Sequence, residues 1–94
     1  MLAQPLRKDA ARRLLSQIIE TGVVRFTKHA LRELKTDGIT QARALVLLQG
    51  GVLSEAEWEN GQWRHHVEAQ QDVLVLTFED ESNAVVITGW RRKR

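Results

Sequence analysis

Near Gly50 and Gly51 the hydrophobic period of this chain changes from 3.6 residues to 2. Helices must therefore come first and strands second, which makes an α+β chain rather than an alternating one. In the first half, Leu6, Ala10, Leu14 and Ile18, flanked by Ala11, Leu15 and Ile19, predict a helix over 5–21. Pro5 suits its first turn, and Gly22 suits a left-handed residue just past its end. A β-branched run predicts a brief strand at 23–26. Thr27 then caps a second helix from 28 to about 37 that carries Ala30, Leu31 and Leu34 and stops at Gly38. Thr40 caps a third helix, apolar nearly all round through Ala42, Leu45, Val46 and Leu48. That composition predicts the central member of the helical layer.

In the second half, residues 52–59 and 62–69 flank Asn60-Gly61, a dipeptide suited to the positive φ angles of a type I′ hairpin. The turn sets the expected register: Trp58 against Trp63, Glu57 against Arg64, Ala56 against His65, Glu55 against His66. One face would then hold both tryptophans, Ala56, His65 and Val67, and the other Glu55, Glu57, Arg64, His66 and Glu68. Residues 73–78 are apolar on both faces apart from Thr77 and read as a central strand. Residues 84–90 form a last strand leading into the basic tail Arg91–Arg94. The expected fold is two or three N-terminal helices on one face of a four-stranded antiparallel meander.

Composition limits the function. At 94 residues the chain (1–94) is one domain with one modest core. With no cysteine it has neither disulfides nor thiolate metal ligands, which suits a reducing cytoplasm. No apolar run approaches the roughly 20 residues of a membrane helix, so a soluble, unprocessed protein without a membrane partner is expected. Net charge is only +2, but the charges are segregated. Arg7, Lys8, Arg12, Arg13, Arg25, Lys28, Arg32 and Lys35 crowd the first third, and acids gather at Glu55, Glu57, Glu59 and at 79–81. A local positive field attracts phosphate backbones even when the total is near neutral. Ordinary solvated helix faces and a frayed tail account for the same pattern. The cations of the first helix oppose its dipole, which points to a surface kept for a partner.

Residues 25–40 join this basic surface to the only helical histidine. His29 follows its cap by two residues, at the positive helix end that favours the neutral, proton-accepting imidazole. A general base for a ribose hydroxyl needs that form. A half-buried histidine bonded to a backbone carbonyl is the plainer alternative. Arg64 and His66 project together from the polar strand face, the pairing in which a guanidinium holds a phosphate oxygen while an imidazole moves a proton. Surface ion pairs with Glu57 and Glu55 explain them equally well. Thr88 and Trp90 share a face of the last strand. If that face is open, the indole offers a stacking platform and Arg91 or Arg92 reaches phosphate; otherwise Trp90 closes the core. His65 points toward the tryptophans and reads as structural. Adjacent strand histidines cannot ligate one ion together, and no H-E-x-x-H pattern exists, so neither metal nor cofactor is expected.

The stretch VRFTKHALRELKTDGIT resembles the opening signature of a small bacterial family of uncharacterised domains, in which a strand ending in F-S/T-x-H-A leads into a helix and a G-I-[ST] turn. VVITGWRR resembles that family's last strand, and together the matches span residues 23–92. The family is grouped with the RelE-like toxins, in the broad class of barnase, EndoU, colicin nucleases and RelE. The resemblance implies a metal-independent ribonuclease whose cleft lies on the open sheet face, with His29, Thr88 and Trp90 at family positions. Asp37 departs from the basic residue usual before the G-I turn. The expectation is an RNA-cleaving toxin of a toxin–antitoxin pair, acting on free or ribosome-bound RNA and held by a cognate antitoxin. His29, Arg64, His66 and Thr88 are its candidate catalytic residues, and Lys28, Arg32, Trp90, Arg91 and Arg92 its candidate RNA contacts. A non-catalytic nucleic-acid-binding module and a protein-interaction domain are the rival readings, because fold membership does not establish catalysis.

Overall fold

The computed structural model describes residues 2–93. Along the chain the elements are α1 (Lys8–Thr21), β1 (Val23–Phe26), α2 (Lys28–Thr36), α3 (Gln41–Gly50), β2 (Val52–Leu53), β3 (Glu57–Glu59), β4 (Gln62–Ala69), β5 (Asp72–Asp80) and β6 (Asn83–Arg91). The α+β class and the three leading helices follow the hydrophobic period, but the sheet has six strands, not four. Its order is β1-β6-β5-β4-β2, with β3 paired to β4 off that path. Strands β3 to β6 form the expected antiparallel meander. β1 adds a parallel strand along β6, and the run 52–59 breaks into two strands. Among the described residues no helix is long and apolar enough to cross a membrane.

The break in 52–59 has a sequence-level cause and a packing consequence. Asn60 and Gly61 take φ of 50° and 80°, and the turn sets Glu57 against Arg64 and Trp58 against Trp63 as the dipeptide predicts. Farther from the turn Leu53 pairs with Val67, so residues 54–56 stand opposite only 65 and 66. This extra residue is a bulge, and it reverses the facing of everything beyond it. Without it Leu53 would lie opposite Glu68 on the polar face. With it Leu53 is buried in the core and Val52 is 75% exposed. The expected pairings of Ala56 with His65 and Glu55 with His66 are therefore lost. Ser54 takes the place beside His66, exchanging bonds through its N–H and its hydroxyl. Glu55 instead accepts the Lys8 N–H at 2.8 Å and so satisfies a free donor at the start of α1.

Alternation along the strands puts Val67, Leu74, Leu76, Phe78, Ala84 and Val86 on the face toward the helices, where they join Leu15, Ile18, Leu34, Leu47 and Leu48 in one core. α2 lies close over β6: a Cβ at Gly89 would meet Leu34 Cδ2 at 2.7 Å. Thr27 caps α2 by accepting from Ala30 N–H at 3.0 Å, and its hydroxyl donates to the Ile87 carbonyl. Thr40 caps α3 in the same manner, through Arg43 N–H.

Four local expectations change. Pro5 precedes α1 rather than entering it, since Arg7 is the N-cap. Gly22 is not left-handed (φ −109°); a glycine is required there because a Cβ would sit 2.3 Å from the Ser82 carbonyl oxygen, where β1 begins its pairing with β6. Arg12 belongs to no open basic surface. Its guanidinium donates to the Leu48 carbonyl at 2.6 Å and to that of Gly51, satisfying the end of α3, and partial burial pushes its pKa down. Finally, α3 is no central helix, because Leu45 and Val46 are exposed on its outer side.

Candidate nucleic-acid interface

The face of the sheet turned away from the helices is open, and the pairing register sets its rows. His66 on β4 lies opposite Val75 on β5, which lies opposite Thr88 on β6. In the next row Glu68 lies opposite Val73, and Val73 opposite Trp90. The His66 and Trp90 rings meet edge to face with centroids 6.0 Å apart. Their parent strands are separated by β5, a span of roughly 9.6 Å. The two rings must therefore arch over the middle strand, which accounts for the burial of Val73 and Val75 on a face no helix covers. The outcome is a shallow platform of imidazole and indole, with the Thr88 hydroxyl position beside it.

The charged candidates fall into different settings. Arg64 follows His66 toward the hairpin, donates to Glu59 at 3.4 Å, and keeps its side chain only 12% exposed. Arg92 forms an ion pair with Glu68 beside the platform. Arg91 is turned to the opposite face. Its guanidinium donates to the two Asp72 oxygens at 2.7 and 3.2 Å, and its backbone N–H donates to Asp37 at 2.8 Å. Arg43 of α3 also donates to Asp72, at 3.1 Å, and reaches Gln70 in the β4–β5 turn. Asp72 is 3% exposed. The Arg91 hydrogen bonds hold its carboxyl well below the usual carboxylate range, with Arg43 adding to the effect and burial opposing it, and the same pairing raises Arg91. Arg91 thus serves as a clasp between β6, β5 and α3 rather than as a phosphate contact. Asp37 anchors the same strand end by accepting the Arg91 N–H.

His29, Lys28 and Arg32 are exposed on α2, in the helical layer. α2 packs on the core side of the sheet through Leu34, and His66 projects from the other face, so the two candidate proton carriers do not form one site. Arg94, the last residue of the basic tail, lies outside the described residues. Nor do three His, Asp or Glu side chains among the described residues converge as a metal-ligand set. His65 goes to the core at 0% exposure, its Nδ1–H donating to the Ser54 carbonyl at 3.0 Å and its ring edge-on to Phe78 at 5.5 Å.

Two features escaped the sequence reading. The Asp72 clasp was signalled only by an acid at the head of an otherwise apolar strand. The second is a cleft of about 440 Å³ beside the hairpin, whose lining includes Trp58, Trp63, Thr77, Val85, Arg25 and Glu79. Its walls come from strands far apart in sequence, and no local pattern announces it.

Comparison with known proteins adds no neighbour: no family model matches the chain, and no curated protein or solved structure matches it significantly.

Proposed function

We propose that the chain is a RelE-like RNA-cleaving toxin domain that acts on unpaired RNA across its open sheet face. The observation carrying this reading is the arrangement of His66 on β4 and of Thr88 and Trp90 on β6, the two strands that flank β5, with the imidazole edge-on to the indole at 6.0 Å. The half-buried Trp90 indole is a platform for a splayed base, and stacking requires no particular sequence. A base stacked on Trp90 brings its own ribose near His66. Neutral imidazole then takes the 2′-hydroxyl proton as that oxygen attacks the adjacent phosphorus. The bond to the 5′-oxygen breaks, and that oxygen takes a proton from water, leaving a 2′,3′-cyclic phosphate and a 5′-hydroxyl. Arg64, its charge shared with Glu59, offsets negative charge growing on the phosphate oxygens.

Because Arg64, Arg91 and Arg92 all have acidic partners, binding rests on stacking more than on phosphate contacts. A shallow salt dependence follows. Cleavage of labelled total RNA in EDTA tests the reading. Cutting should survive chelation, vanish in His66→Ala and persist in His29→Ala; activity retained in His66→Ala would remove that residue from the site. A non-catalytic RNA-binding module is the second reading, favoured by the separation of His29 from His66, which leaves one histidine on the face. Wild type that binds single-stranded RNA without cutting it, with and without ribosomes, selects this alternative.

A further inference from the structure

None of His66, Thr88 and Trp90 lines the hairpin-end cleft, which is therefore separate from the platform. Thr77 and Val85 form the next row along the open face beyond Val75 and Thr88, and both line the cleft. Two residues along a strand is about 7 Å, so the cleft opens about one extended nucleotide from the platform. Trp58 is 61% exposed, an unusual setting for the largest apolar side chain, and it is held in place edge to face against Trp63 at 5.1 Å. In the same lining Arg25 donates to Glu79 at 3.0 Å.

This lining selects the chemistry of an occupant. Glu79 cancels the Arg25 charge, so a phosphate finds no net positive field. The pair still offers a donor and an acceptor side by side, which suits the edge of a neutral, planar, hydrogen-bonding ring. Trp58 supplies the stacking surface, and the volume lies within the range of small-ligand pockets. We propose that the cleft is a second subsite that takes an unpaired nucleobase flanking the one on Trp90, an assignment that rests on the open face contacting RNA. Trp58 stacks that base, and the Arg25–Glu79 pair reads its edge.

The test uses the full chain and 2′-O-methyl RNA, which lacks the attacking hydroxyl and is not cut. Affinities of a dinucleotide and of a single strand of about ten nucleotides are compared by anisotropy for wild type, Trp58→Ala, Trp58→Phe and Trp90→Ala. Trp58→Ala should weaken the longer strand about tenfold and leave the dinucleotide unchanged, Trp58→Phe should retain most of the affinity, and Trp90→Ala should weaken both. Equal affinity of Trp58→Ala and wild type for the longer strand, with Trp90→Ala weakened, overturns the subsite alone. An equal loss by Trp58→Ala on both lengths also overturns it, because the cleft is then no separate subsite. Absence of RNA binding by wild type overturns both the subsite and the reading beneath it.

Discussion

His65 and His66 are neighbours in the chain and occupy different chemical environments. One is sealed in the core against Phe78 with a backbone carbonyl for company; the other stands on the open face against Trp90. The residue type is the same and the backbone is one strand, so only the alternation of β4 separates them. A strand partitions its residues between stability on one face and availability on the other. The same division explains the two tail arginines. Arg91 turns to the helix side and clasps Asp72, while Arg92 turns to the open side and meets Glu68.

Truncating each histidine in turn separates the roles of the two faces most clearly. His65→Ala should cost about 3 kcal/mol, from the cavity and the lost bond to Ser54, read as a lower urea midpoint. His66→Ala should move that midpoint by less than about 0.5 kcal/mol. Cleavage should respond in the opposite sense, falling at least about 100-fold in His66→Ala. Equal destabilisation by both substitutions would show that the open face is structural as well.

Next in size comes Asp72→Ala, which should cost about 2 kcal/mol at neutral pH because it leaves two guanidinium groups without their shared carboxylate. Its pH dependence carries a definite sign. Since the folded-state pKa lies below the ordinary value, the contribution is complete above about pH 4 and fades as pH falls from there through the depressed pKa. Wild type and variant stabilities should therefore converge in acid, which urea titrations over that range will check. Gly61→Ala, at a φ of 80°, should cost about 1 kcal/mol in the same assay. The smallest effect belongs to Arg92→Gln, under about 0.5 kcal/mol in stability. The salt slope of its RNA binding should also stay nearly unchanged, since Glu68 already neutralises the cation. A slope lowered by about one would return Arg92 to the phosphate contacts.

Local chemistry was legible in the chain wherever a few adjacent residues decide the matter. The caps Thr27 and Thr40, the Asn60-Gly61 turn with its Trp58–Trp63 pair, and the central apolar strand β5 all follow from dihedral preference and hydrophobic period. The shared face of Thr88 and Trp90 follows from alternation. Harder to read were the features that depend on what arrives from elsewhere. The bulge at 54–56 exists because burying Leu53 on Val67 outweighs continuing the hairpin register, and that balance requires a core already in place. Arg12 became an α3 cap and Arg91 a clasp because α3 and β5 bring carbonyls and a carboxylate within reach of cations that look solvated in sequence.

By itself, then, the sequence determined the order of helices and strands, the turn and the alternation that separates His65 from His66. These are properties of a few neighbouring dihedrals and need no distant partner. The parallel pairing of β1 with β6, the separation of His29 from His66 and the cleft beside Trp58 were decided only by tertiary structure. Each depends on how residues many positions apart are placed, and that placement is fixed by the burial of one shared core.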